Sequence, residues 1–200
     1  MWTGVEPLGN EGYKQLDLMK FIELSGKRIR LINPTIDYLE DINEYSTMPQ
    51  FYDYLEYPAF KNLEETKGFL AKLFKRSDDI TGHYWFIYNI SENKVIGTIG
   101  LLDIDPTRGS AELSYGLSPN FWGQGFFSEA LKLVINWFFE QRGNHRLFVK
   151  TASENTNSIN AVLRIGFQRE GLLRDYYFDK KNQKRSDAAL LSMLKTDIII

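Results

Sequence analysis

The sequence predicts an α+β (mixed α/β) domain in which a central, mixed but mostly antiparallel twisted sheet is flanked by helices. Three observations lead there. The elements read in the order βααβββαβαββ, three strand-like runs follow one another across short turns, and one strand–helix–strand passage must be a parallel crossover because a helix fills its connection. The chain has 200 residues, enough to bury one sizeable core and within the usual range for a single domain.

Residues 1–26 are weakly patterned: Gly4, Pro7, Gly9 and Gly12 precede a short apolar stretch from Leu16 to Leu24. They are expected to form an arm or short helix packed on the core, with the domain proper over 27–200. Residues 28–33 alternate Ile29 and Leu31 with Arg28 and Arg30, a half-exposed strand closed by Pro34. A helix is expected over 36–45 and a second over 63–74, where Leu63, Thr66, Phe69, Leu70 and Phe74 share a face and Glu64 and Glu65 suit the positive end of the dipole. Runs 83–90, 95–104 and 111–117, separated by Asn93-Lys94 and by residues 105–109, predict an antiparallel meander. Residues 126–141 carry no strand punctuation and many good helix formers, so they read as one long buried helix. A strand over 145–151, a helix over 155–165 stopped by Gly166, and strands over 167–178 and 187–194 complete the order. Residues 180–185 (Lys-Lys-Asn-Gln-Lys-Arg) read as a solvated hairpin turn.

Composition excludes several functions. A formal net charge of −2 gives no global attraction for nucleic acid. With no cysteine, disulfides, thiolate metal sites and cysteine nucleophiles are ruled out, and the usage fits a reducing compartment. No metal ligands cluster. His83 reads as a surface residue at a strand start and His145 as a residue at a strand entrance. The N-terminus does not read as a signal peptide, and no apolar run approaches the roughly 18 residues of a membrane helix. A cytoplasmic protein with neither nucleic acid nor membrane as partner is expected, acting as a monomer or homodimer.

Residues 119–130, Pro-Asn-Phe-Trp-Gly-Gln-Gly-Phe-Phe-Ser-Glu-Ala, lie between a strand and the long helix. Such a junction presents unpaired N–H groups and a positive dipole end, which bind a phosphate without a basic side chain. Glycine lets the backbone approach the anion and adopt positive φ. Two glycines one residue apart also suit an ordinary steric turn. No Gly-Lys-Ser/Thr follows, so this is not a Walker loop, and Ser128 stands where a dinucleotide fingerprint would place its third glycine.

Phe121-Trp122-Gly123-Gln124-Gly125-Phe126-Phe127-Ser128-Glu129-Ala130-Leu131 resembles the coenzyme A loop of the GNAT superfamily, in particular the branch that acetylates the N-termini of ribosomal proteins. Arg28-Ile29-Arg30-Leu31 resembles that branch's opening strand, Asn155 with Ser158 through Gly166-Phe167 its second helix, and residues 170–174 with Asp187 its closing strands. The resemblance spans about residues 28–195 and implies direct transfer of acetyl from acetyl-CoA to a primary amine, with strands splayed at the cofactor site. The superfamily pattern Arg/Gln-x-x-Gly-x-Gly/Ala falls on Trp122, Gly125 and Phe127. A bulky Phe127 pointing inward leaves its amide to the pyrophosphate; pointing outward it crowds the cofactor.

The resemblance assigns Trp122 through Ser128 to the pyrophosphate and Asn155 to the pantetheine. It also makes Ser158 a hydrogen-bond or proton donor to the leaving sulfur, since the tyrosine many relatives use is replaced here by Val162. The family's oxyanion donor is a backbone N–H, here of Tyr115 or Leu117. Glu112 is the candidate base, because alternation puts Glu112, Ser114 and Gly116 on one face and Leu113, Tyr115 and Leu117 on the other. Structural alternatives are a solvated edge glutamate for Glu112, an N-cap for Asn155 and a first-turn filler for Ser158. Tyr52, Tyr54, Tyr57 and Phe60 are either core or the wall of an acceptor cleft.

Three readings follow. The acceptor is a protein N-terminal α-amine of ribosomal-protein type, or a small amine such as a polyamine, amino sugar or antibiotic, or the domain binds acyl-CoA without catalysis. An α-amine with a pKa near 8 is about 10% neutral at pH 7, whereas freeing a lysine amine costs about 4 to 5 kcal/mol. The α-amine therefore needs only a weak base.

Overall fold

A computed structural model describes residues 22–78, 82–180 and 182–198. One sheet organises it, with strands β1 (Leu24–Ser25), β2 (Ile29–Ile32), β3 (Gly82–Asn89), β4 (Lys94–Asp105), β5 (Ser110–Leu117), β6 (Arg146–Ala152), β7 (Gln168–Asp179) and β8 (Lys184–Leu194). Their spatial order is β1-β2-β3-β4-β5-β6-β8-β7. Neighbours are antiparallel except β5 and β6, which are joined through helix α3 (Phe126–Asn136) and run parallel.

Helices α1 (Leu39–Ser46) and α2 (Leu63–Asp78) cover one face, and α3 with α4 (Thr156–Leu163) covers the other. The interior strand β3 is consequently buried along its whole length, with Trp85 and Ile87 in the core beneath α3 and Phe86 and Tyr88 in the core beneath α1 and α2.

The arm expected over residues 1–26 lies outside the described residues except for 22–26. These contain β1, which pairs with β2 through Leu24↔Leu31, and the Trp85 indole donates to the Ile22 carbonyl at 2.8 Å.

Three local readings are corrected. The helix expected over 126–141 changes at Asn136 to a π-helical turn, Trp137–Gln141, where the Arg142 N–H reaches the Trp137 carbonyl at 3.0 Å. The wider turn accompanies burial of three consecutive aromatics, Trp137, Phe138 and Phe139, more than one α-helical stripe holds. His83 is not at the surface: its ring stacks on Trp137 at 5.2 Å and meets Trp85 edge-on, and burial lowers its pKa to about 4. The turn expected over 180–185 does not extend to its last two residues, because Lys184 and Arg185 already belong to β8.

Near the sheet edge β7 bulges between Leu173 and Tyr177, with Asp175 at φ 52°. Asp187 on β8 accepts the Asp175 N–H at 2.9 Å and so holds the bulge.

Candidate active site

The parallel pair β5 and β6 separates. Its register runs only through Ser110↔Arg146, Ala111↔Leu147 and Glu112↔Phe148. Beyond that point β5 stays paired with β4 out to Leu117↔Gly97, while β6 stays paired with β8 out to Ala152↔Ala188. Each strand is held on its outer side, so a gap opens between them. The Ser118 N–H donates to Ile96 on β4 at 2.8 Å. Because N–H directions alternate along a strand, those of Tyr115 and Leu117 face the gap. The register between β4 and β5 is unbroken from Glu112 to Leu117, so the opening needs no bulge there.

At the top of the gap lies the glycine loop. Gly123 has φ 72° and Gly125 φ 81°, backbone that glycine adopts without strain. Gly125 is the N-cap of α3 and contributes no side-chain hydrogen bond, so the amides of Phe126, Phe127 and Ser128 in the first turn have no side-chain cap. A Cβ placed on Gly123 would meet nothing, so the loop's outer surface is open. Gln124 turns its amide back to the Asn120 carbonyl at 2.9 Å, and the Trp122 indole donates to the Leu117 carbonyl at 2.7 Å with its ring exposed. These features suit a diphosphate at the helix end and a chain leading down into the gap.

Arg28 buttresses this loop from β2. Its Nη1 donates to the Gln124 carbonyl at 2.9 Å, its Nε pairs with Glu129 at 3.0 Å, and its guanidinium lies 4.4 Å from the Phe126 ring centre. Glu129 also accepts the Arg28 backbone N–H at 2.8 Å. Burial alone would raise the Glu129 pKa, but these Arg28 contacts outweigh it and hold the carboxyl below its ordinary value. Nothing in local spacing marks the pair, whose partners lie 101 residues apart.

Glu112 faces the α1–α2 side of the sheet. It forms an ion pair with Lys150 of β6 at 2.7 Å, with both side chains largely buried, and Lys150 also donates to the Tyr176 hydroxyl at 2.7 Å. Burial raises the Glu112 pKa despite the opposing pull of Lys150. The solvated edge glutamate is thereby excluded as a description of Glu112. Lys150 is a site-lining residue that sequence reasoning missed. Its one sequence signal is an i, i+2 position after Phe148 on the same strand face.

Gly116 lies on the same face, where a Cβ would come within 2.6 Å of the Phe51 ring. Phe51 belongs to an aromatic group in which Tyr52 is buried and Tyr57 exposed, and Tyr54 on the same segment is exposed as well. The 49–60 segment is therefore core at Tyr52 and rim at Tyr54 and Tyr57. It borders a cleft of about 200 Å³ lined by Asp53, Glu56, Ala152, Glu154, Asp179 and Lys184 among others. Glu56 ties this segment to β7 by accepting the Phe178 N–H at 2.8 Å.

On the opposite face the Tyr115 hydroxyl and Ser158 Oγ are 2.6 Å apart. Asn155 is the N-cap of α4, accepting the Ser158 N–H at 3.1 Å. Phe127 points inward: its ring centre is 4.3 Å from that of Tyr115. Val162 is fully buried in the core. Among the described residues no group of three or more His, Asp or Glu side chains could hold a metal ion, and no helix is long and apolar enough to cross a membrane.

Residues 28–168 match the acetyltransferase (GNAT) domain family. An uncharacterized N-acetyltransferase p20 of Bacillus licheniformis is 30% identical over 171 residues, 86% of this chain and 95% of that protein. The ribosomal-protein-serine acetyltransferase of Escherichia coli is 33% identical over 87 residues, which span 44% of this chain and 49% of that protein. In structure, the spermidine N-acetyltransferase of Vibrio cholerae, solved with CoA and spermine, superposes with a TM-score of 0.73 at 19% identity, covering 86% of this chain and 98% of that one.

Proposed function

From the premise that this chain belongs to the GNAT acetyltransferase family and takes its acyl group from acetyl-CoA, we propose that it acetylates a protein N-terminal α-amine, of ribosomal-protein type, in the cytoplasm. The observation that carries the reading is Glu112 beside the gap, its carboxylate held by Lys150 on the face where the 49–60 segment and its cleft lie. Even with its pKa raised by burial against the pull of Lys150, a carboxylate is a weak base beside an amine, adequate for an α-amine that is already partly neutral and poorly matched to a lysine side chain.

Bound acetyl-CoA supplies the thioester carbonyl that the amine attacks. The loop amides of residues 126–128, with Arg28 behind them, hold its diphosphate, and Trp122, Gly123, Gln124 and Gly125 shape the turn. Asn155 positions the start of α4 along the pantetheine path. Glu112 takes the proton of the attacking nitrogen through water. The N–H groups of Tyr115 and Leu117 stabilise charge developing on the carbonyl oxygen. Ser158 donates to the departing sulfur.

A second reading has one specific support. Among the described residues the cleft carries Asp53, Glu56, Glu154 and Asp179 beside Lys184, an excess of negative charge that suits a small polycation as well as a basic peptide, and a similar fold binds spermine. The two are separated by measuring thiol release from acetyl-CoA with Ala- or Ser-initiated peptides beside spermidine and amino sugars. Turnover of spermidine at a higher kcat/KM than every peptide would overturn the N-terminal reading and leave the acetyltransferase assignment intact.

A further inference from the structure

We propose that Tyr115 is a positioning residue for the leaving group: its phenol donates to Ser158 Oγ and thereby leaves the serine hydrogen directed at the departing coenzyme A sulfur. This rests on the proposed acyl transfer and on Ser158 as the sulfur's donor.

Three observations carry it. First, the pair bridges the gap. Tyr115 lies in the part of β5 that has lost β6 as partner, and Ser158 sits in the first turn of the helix that follows β6. Their hydroxyls, 2.6 Å apart, join the two sides where a thioester entering the gap would lie. Second, the direction of the bond follows from chemistry. A phenol is a far stronger hydrogen-bond acid than an aliphatic hydroxyl, and the serine oxygen has lone pairs to accept. Among the described residues Ser158 Oγ has no other hydrogen-bond partner, so its own hydrogen is available. Burial pushes the phenol up to about 12, and Tyr115 therefore remains a donor throughout the neutral range.

Third, Phe127 packs against the pair. Where the pattern has a small residue, its ring meets that of Tyr115 and fixes the direction of the phenol. Val162 leaves no tyrosine on α4, and the hydroxyl arrives from β5 instead. A hydroxyl that accepts one hydrogen bond also donates a stronger one.

The proton balance is simple. When the carbon–sulfur bond breaks, its electron pair stays on sulfur, and the proton lost by the acylated nitrogen leaves through water at Glu112. Both hydroxyls keep their protons, so neither need be a strong acid.

Tyr115→Phe keeps the ring on Phe127 and removes only the donor. The expected result is a kcat about tenfold lower with an unchanged KM for acetyl-CoA. The same substitution in a Ser158→Ala background should add no further loss. A readout independent of turnover is the ultraviolet absorbance of the thiolate in bound coenzyme A, whose thiol pKa should rise by about 0.5 to 1 unit in either single variant. A Tyr115→Phe enzyme with wild-type kcat and thiol pKa overturns the inference, as does a loss of equal size in the Ser158→Ala background. If the wild-type protein binds coenzyme A and transfers acetyl, and Ser158→Ala is impaired while Tyr115→Phe stays wild-type, only this inference fails; if Ser158→Ala is wild-type as well, the role of Ser158 fails with it. If it binds no coenzyme A, the proposed acyl transfer fails with it.

Discussion

Replacing Glu112 by glutamine tests the proposed base and separates its chemical from its structural role. The amide occupies the carboxylate's volume and can still accept from Lys150, but it carries no charge and takes up no proton. A general base contributes roughly 10² to 10⁴ in rate. An acceptor amine about 10% neutral at pH 7 asks for little more than 1 kcal/mol of deprotonation, so the low end applies. The expected loss in kcat is about 100-fold, or about 2.7 kcal/mol.

The structural cost is smaller. The Glu112 and Lys150 side chains are 15% and 17% exposed, between the surface and fully buried extremes, and Lys150 keeps the Tyr176 hydroxyl. The lost attraction to Lys150 is offset by relief of the buried carboxylate charge, so stability should change by no more than about 1 kcal/mol, a shift in Tm of at most about 4 °C.

The pH profile discriminates further. Burial raises the Glu112 pKa against the pull of Lys150, so the acid limb of wild-type kcat/KM should lie above the ordinary glutamate value near 4.3 and should vanish in Glu112→Gln. Stability runs the other way. A carboxyl with a raised folded pKa favours the fold most when protonated, and that contribution is lost as pH rises through the folded value. Thiol-release kinetics from pH 4.5 to 9, with thermal melts of both proteins, provide the test. A Glu112→Gln enzyme with wild-type kcat and an intact acid limb would refute Glu112 as the base.

Arg28→Ala removes the contacts to Gln124, Glu129 and Phe126. Because the arginine side chain is half exposed, solvent screening limits the effect to about 1 kcal/mol, read by calorimetry as a roughly 5-fold weaker Kd for acetyl-CoA; an unchanged Kd would detach Arg28 from the loop. Gly125→Ala forces a Cβ onto φ 81° with the Arg28 guanidinium 3.3 Å away, and should lower stability by about 1 to 2 kcal/mol, seen as a lower Tm in thermal melts. Arg146 and Ser192 hold the Glu170 carboxyl at about 2, so its stabilisation is present above the unfolded value near 4.3 and lost as pH falls towards 2. The Tm gap between wild type and Glu170→Gln should close over that range, and since Glu170 is exposed it should correspond to no more than about 1 kcal/mol at pH 7.

Local chain chemistry was enough for the skeleton. Alternation in 28–33 and 111–117, the 3.6-residue stripe after Leu63, and the glycines before α3 act over one turn or one strand, and their physics is complete within a short window. The same holds for Asn155 capping Ser158, three residues on. Tertiary structure decided the rest. Arg28 meets Glu129 across 101 residues and Tyr115 meets Ser158 across 43, while Lys150 reaches Glu112 from the neighbouring strand. Such partnerships depend on strand register, and a one-residue slip would send every side chain to the opposite face. The burial of His83 between two tryptophans and the end of β5–β6 pairing at Glu112 have the same origin. Each is settled by what the opposing element presents, and no window of the chain holds both sides of that contact.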